Sequence, residues 1–394
     1  MKVFKKFFSQ KIYWGGLLGI TIVVSIFMIG FMGSTVDPKP NDLPIALVVE
    51  DKGVKSPNNT LNFGETVKEN LITNQEIPFK WSIVQSKEEA LSKMNDRAYY
   101  AAIVIPENTS LNIASILQPS QQQPQVEVII NEGMNYTASN TVSQIIDQIG
   151  MDMNSQIQSI IFSQLQAQSL SLPPEKIEQV INPLLIKKEV INNVDTHTAN
   201  GNTPVLFTQI LWLSIFICSL ILFITLKKTT NSQINLSSVI SQLIGGLLFI
   251  LVIVSSILLF AKYILDVSIP NMEDAFLFLL LSGFVFFLLQ NTLFNWIGVI
   301  AAPFILLMFL FSIPVLNLPT EFLPNSTKEL LYSWIPLKFS VEGLRGIFFF
   351  DNNNVKEYLT ILIYIGIGSL ITMTLSIFKK QRKKEKHVEI SNSN

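Results

Sequence analysis

Apolar and polar positions follow two rhythms along this chain. From residue 34 to residue 204 the apolar runs are short and punctuated. Leu43–Glu50 (LPIALVVE) is an apolar run of strand length that ends in the turn Asp51-Lys52-Gly53. Asn62–Thr73 places Phe63, Val67 and Leu71 at i, i+4 and i+8, the spacing of one helix face. Phe79–Val84 alternates as a strand does, and Ser86 followed by Glu88 and Glu89 reads as a helix N-terminus. Tyr99–Ile105 (YYAAIVI), stopped by Pro106, and Val126–Ile130 read as further strands. After Tyr136 a stripe of Val142, Ile146, Ile149, Met153, Ile157, Ile160 and Leu165 predicts one long helix, ended by Pro173-Pro174. Such a stripe reads as a core-facing surface before it reads as a docking face. A second helix is expected from Glu175 towards Asn192, then a polar linker, Asn193–Thr203. The expected product is an α/β lobe of about 100 residues on a helical stalk.

Elsewhere the apolar runs are long: Ile12–Met32, Val205–Leu226, Val239–Ala261, Ala275–Gln290, Phe294–Leu316 and Tyr358–Phe378. About 20 such residues cross a hydrocarbon layer about 30 Å thick, so six spans are expected. The fourth is short and meets the fifth through Asn291-Thr292-Leu293, which predicts a tight hairpin there. The first exceeds the apolar core of about 7–15 residues in a signal peptide and reads as an uncleaved anchor. Pro303 and Pro314 are expected to bend the fifth span.

Composition agrees: only 14% of the 394 residues are charged, against about 25% in soluble domains. Charge also sets orientation, because Lys and Arg stay on the cytoplasmic side. Lys2, Lys5, Lys6 and Lys11 precede the first span, and Lys379, Lys380, Arg382, Lys383, Lys384 and Lys386 follow the last. Lys227 and Lys228 open the loop after the second. Residues 34–204 carry 11 basic against 19 acidic residues, a net charge of −8 that the overall −1 conceals. The fold class is therefore a polytopic α-helical membrane protein, with six spans, both termini cytoplasmic, and an extracellular α/β domain between spans one and two. The expected domains are 1–33, a cytoplasmic N-terminal helix and first span; 34–204, the lobe and stalk; 205–378, five spans; and 379–394, a basic cytoplasmic tail. The localisation that follows is the cell membrane. Neither charge pattern suits nucleic acid; the basic ends suit an anionic lipid surface.

Four stretches in order, PIALVVEDKG, LNFGETVKENL, KEEALSKMNDRAYYAAIVIPEN and VEVIINEGMNYTAS, resemble the extracellular domain of the YhgE/Pip (phage infection protein) family and of related type-2 ABC exporter permeases. The likeness covers roughly Pro44–Asn140. WIPLKFSVEGLRG resembles the Pro-Leu/Phe…Arg-Gly element that precedes the last span in such permeases. Long members of the phage infection family carry a much larger outside region; here the chain returns to the membrane after about 170 residues. That departure favours the compact exporter-permease branch. The resemblance implies a homodimer or a heterodimer with a second permease, and a separate ATPase subunit.

The residues allow no obvious catalyst. His197 and His387 fall on opposite sides of the membrane, Cys218 is the one cysteine, and there is no H-E-x-x-H or G-x-S-x-G. No G-x-x-x-x-G-K-[ST] loop is present, so no cofactor is expected to bind directly and ATP acts through a partner. The spans hold almost no ionisable residues, which argues against an ion-coupled carrier. A route lined by Phe, Leu, Ile, Ser, Thr and Asn suits amphipathic or lipid-like cargo. The expected function is thus the permease subunit of an exporter; the alternative is a non-transporting surface receptor or scaffold, for phage adsorption or secretion.

Three candidate sites follow. Phe4, Phe7 and Phe8 lie at i, i+3 and i+4 beside Lys5 and Lys6, as in an interfacial helix. It is a membrane anchor or, by the resemblance, a helix touching the ATPase. Lys227–Ser238, opening with Lys227 and Lys228, is a solvated connector or the ATPase-coupling loop. Finally Lys338, Glu342 and Arg345 share a helix face at i,i+4 and i,i+3. They are expected on a short helix at the outer interface, its Phe residues entering the bilayer. There the charges pair with one another, with the lobe or with headgroups, and position an outer gate or nothing at all.

Overall fold

The computed structural model describes residues 40–56, 59–118, 122–168, 174–230 and 234–379. The expected span Ile12–Met32, the aromatic trio Phe4, Phe7 and Phe8, and the basic tail beyond Lys379 lie outside the described residues. Two compact units are present. The first takes the described residues up to Val205 with Asp266–Asn271 and Phe311–Lys356; the second takes Leu206–Leu265, Met272–Leu310 and the described residues from Glu357.

The first unit is built on a five-stranded sheet. Its strands are β1 (Leu43–Val49), β4 (Phe79–Val84), β5 (Ala101–Ile105), β6 (Gln125–Asn131) and β7 (Leu185–Ile191), in the order β4-β1-β5-β6-β7. A separate hairpin joins β2 (Val54–Ser56) and β3 (Asn59–Leu61). Strand β1 pairs in parallel with both β4 and β5, β5–β6 is antiparallel, and β6–β7 is parallel. A parallel central strand is covered on both faces, which is why LPIALVV is continuously apolar. Helix α1 (Phe63–Thr73) buries Phe63, Val67 and Leu71, and the Asn62 side chain accepts from the Glu65 amide at its start. Ser86 caps α2 (Lys87–Asn95) in the same way. The carboxylate of Asp51, just past β1, is buried and fully used. It accepts from the amides of Gly64 and Ser110 and from the Ser110 hydroxyl, tying the start of α1 to that of α3 (Thr109–Ala114).

Two expectations about this region are corrected. Helix α4 (Tyr136–Gln168) is no stalk. Its Val142, Ile146, Ile149, Met153, Ile157 and Ile161 are buried in the lobe's core together with β1, β5 and β6. The stripe is core-facing, with Ile161 in place of Ile160. Nor does a helix run from Glu175 to Asn192. Only Ile177–Ile181 (α5) is α-helical there, and Leu185–Ile191 is β7. Pro183 cannot continue the helix, while β6 offers an edge on which residues 185–191 pair in register.

The second unit is helical, formed by most of α6 (Thr203–Thr230), α7 (Leu236–Tyr263), α8 (Met272–Ile297), α9 (Ala301–Asn317) as far as Leu310, and α11 (Val355–Leu375) from Glu357, the last continuing to Phe378 as a tighter turn. Among the described residues four helical stretches are long and apolar enough to cross a membrane: Thr203–Thr230, Leu236–Tyr263, Met272–Asn317 and Val355–Phe378. The third doubles back. Gln290 donates to the Trp212 carbonyl and the Trp212 indole donates to the Ile305 carbonyl, so residues 290 and 305 lie at one level. On a straight helix they would be about 22 Å apart. The turn is at Gly298–Ile300, where Gly298 has φ +69°, and not at Asn291–Leu293. Those residues belong to α8, which makes it 26 residues long rather than short. Their polar side chains hold helices together instead of facing water. Asn291 donates to the Ser219 hydroxyl, and Thr292 to the Ser369 carbonyl. Gln242 and Asn295 exchange hydrogen bonds. Pro303 sits in the first turn of α9, where a missing amide costs nothing, so only Pro314 interrupts the helix.

Candidate functional site

Within the first unit, the segment between α9 and α11 folds onto the lobe. Helix α10 (Leu337–Phe349) holds the charged residues singled out above, and most of it is buried. Phe348 and the neighbouring Phe349 are covered by protein, which corrects the expectation that the Phe residues of this helix enter the bilayer, while Phe339 is half-buried. Glu342 and Arg345 pair at 2.6 Å, as their i,i+3 spacing requires. Lys338 does not join them. It donates to the Ser333 carbonyl at 2.7 Å and lies 4.8 Å over both Tyr332 and Phe339. Burial pushes its ammonium below the usual lysine range, with Glu342 acting in the opposite sense.

The second partner of Glu342 comes from the lobe. Arg97 reaches its carboxylate at 3.3 Å and its carbonyl at 3.1 Å, reaches the Asn353 carbonyl at 3.5 Å, and stacks 4.5 Å over the Phe350 ring. One carboxylate is therefore shared by two guanidiniums whose side chains are each 9% exposed. The local chain explains how Arg97 is aimed. It follows α2 in a left-handed conformation, φ +61°, and its amide and that of Ala98 close the helix end onto Met94 and Lys93. Glycine is the usual residue at such a cap; an arginine there accepts backbone strain to place its side chain. Nearby, Tyr100 donates to Glu321 at 3.0 Å, and Thr320 donates to the same oxygen. Burial, and then the Glu321 charge, push the Tyr100 phenol well above its ordinary value. Sequence reasoning missed Arg97, Tyr100 and Glu321. Their partners are more than 200 residues away, and the one local signal was a helix end without glycine at Asn95-Asp96-Arg97.

In the second unit Lys227 and Lys228 are exposed at the end of α6, and Lys227 lies 5.0 Å from the Phe223 ring. Phe223 stacks on Phe294 near the end of α8, where Lys379 donates to the Asn295 and Trp296 carbonyls. These three lysines thus share one end of the helices, and Lys379 neutralises the exposed carbonyls of a helix C-terminus. The supposed loop Lys227–Ser238 is shorter than expected. Helix α6 runs to Thr230, and α7 starts at Leu236 behind an Asn235–Ser238 capping box. Residues 231–233 lie outside the described residues.

These features define a helical membrane protein carrying an α/β lobe near its N-terminus. The chain belongs to the ABC-2 family transporter proteins, whose family model matches residues 11–378. It is thereby a member of a membrane permease family, a transport rather than a catalytic component. It is also similar to the uncharacterised protein YhgE of Bacillus subtilis (strain 168), at 23% identity over 143 residues, which is 36% of this chain. The chain spans 18% of that relative's length. A further likeness is to the crystal structure of a domain assigned to an ABC type-2 transporter from Thermotoga maritima MSB8. It has a TM-score of 0.27 at 18% identity and covers 37% of this chain and 84% of that one.

Proposed function

We propose that this chain is the permease subunit of an ABC-type exporter, powered by a separate ATPase and moving amphipathic or lipid-like cargo outward. The observation that carries the reading is the family match across residues 11–378. The sequence adds that no phosphate-cradling loop is present, so hydrolysis falls to another subunit. In this reading the chain crosses the membrane six times with both termini cytoplasmic, and it works as a homodimer or with a second permease. Lys227, Lys228 and Lys379 share one helical end, which supports placing that end in the cytoplasm. The ATPase then meets Lys227, Lys228 and the Phe4, Phe7 and Phe8 helix. Lys338, Glu342 and Arg345 lie on the outer side.

The test of cargo class uses inside-out vesicles from the native membrane and a panel of fluorescent amphiphiles. ATP-dependent accumulation of at least one amphiphile, lost when the chain is deleted, is expected. If transport of the whole panel is the same with and without the chain, while a biological phenotype of deletion persists, the receptor or scaffold reading replaces this one.

A further inference from the structure

We propose that the Arg97–Glu342–Arg345 cluster is a latch that makes the lobe and the start of α11 a single mechanical piece, with Arg97 as its positioning residue. Three sets of polar contacts and one close approach converge on this joint. Glu342 is held by Arg345 from its own helix and by Arg97 from the lobe. Tyr100, three residues past Arg97, holds Glu321 on the stretch leading to α10. The turn joining α10 to α11 is fastened separately: Asn353 donates to the Asn95 carbonyl and the Asp96 carboxylate, and Asn354 donates to the Asp96 carbonyl. At the C-terminal end of α10, a Cβ on Gly133, in the loop after β6, would lie 2.7 Å from the Phe349 Cβ.

The joint is shaped for closeness. Asp351, Asn352 and Asn354 all adopt left-handed backbones, and the Asn352 amide returns to the Gly346 carbonyl. Helix α11 starts one residue after this turn. Its first residue, Val355, therefore cannot shift without dragging the α2–β5 loop or breaking buried charge contacts. Opening the joint leaves Glu342 paired with Arg345 alone and takes from the buried Arg97 guanidinium its carboxylate partner, which makes opening costly. The latch accordingly stays closed while the protein works, and a displacement of the lobe is passed to the first residues of α11, Val355 and Lys356. By linkage, a displacement of those residues is passed to the lobe.

The test is hydrogen–deuterium exchange on the full chain in lipid nanodiscs. Arg97→Ala is expected to raise exchange about tenfold or more in residues 337–358, with β1 and α7 unchanged. Glu342→Gln is expected to raise exchange in residues 93–100. Arg97→Lys, which keeps the charge and loses the second contact, is expected to fall in between. If each substitution disturbs only its own side of the joint, the coupling is refuted. If exchange rises equally over β1, β4 and β5, Arg97 has an ordinary structural role and the latch is likewise refuted. Should Arg97→Ala fail to fold, Asn353→Ala keeps every charge, and its expected severalfold increase at residues 93–100 is the deciding reading.

Discussion

Gly346 shows how tightly the joint is drawn. A methyl group there would sit 2.6 Å from Val355 Cγ2, 2.8 Å from the Arg97 Nη2 and 2.9 Å from the Asn353 carbonyl. Gly346→Ala is expected to cost about 1–3 kcal/mol through overpacking, read as a fall in the unfolding temperature of the lobe. Tyr100 supplies a pH signature. Its phenol is raised above 10.0 by burial and by Glu321. Between the unfolded value and the higher folded one, the unfolded chain binds fewer protons, so stability falls as pH rises past about 10. Tyr100→Phe is expected to flatten that alkaline limb while costing about 1 kcal/mol at neutral pH. Thermal melts of both proteins between about pH 7 and pH 11 check it. The pair Glu342–Arg345 was legible in the sequence because it is three residues apart. Arg97 was not, since nothing local marks a partner 245 residues distant.

Whole elements were legible where periodicity was long and its environment simple. The stripe of α4 and the continuous run of β1 announce buried surface by themselves. Strand β7 was hidden because Leu185–Ile191, with Lys187 and Lys188 at its centre, is an exposed edge without alternation; only its pairing with β6 makes it a strand. The α8–α9 turn was misplaced for a related reason. Asn291 and Thr292 are polar, and a one-dimensional reading assigns polar residues to water. In the second unit they satisfy hydrogen bonds to Ser219 and Ser369. Asn291→Leu is expected to weaken the packing of α6 against α8 by about 1 kcal/mol, seen as a lower midpoint in detergent-induced unfolding. An unchanged midpoint would mean that this link contributes nothing.

For the molecule as a whole, the first unit takes in Phe311–Lys356, a stretch that hydropathy assigns to the membrane domain. Hydropathy sees the apolar residues of α10 and cannot see that lobe residues cover them. Orientation and energy source are the larger proposals. The first is supported by Lys227, Lys228 and Lys379 at one helical end, the second by the family match and by a sequence without a nucleotide-binding loop. The most direct measurement is purification of the tagged chain from its native membrane in mild detergent, with partner identification and assay of ATP hydrolysis. A stoichiometric ATPase is expected, with hydrolysis that disappears when Lys227–Ser238 is replaced by a Gly-Ser segment. Recovery of the intact chain without any ATPase, across several detergents and with no hydrolysis, would contradict the exporter.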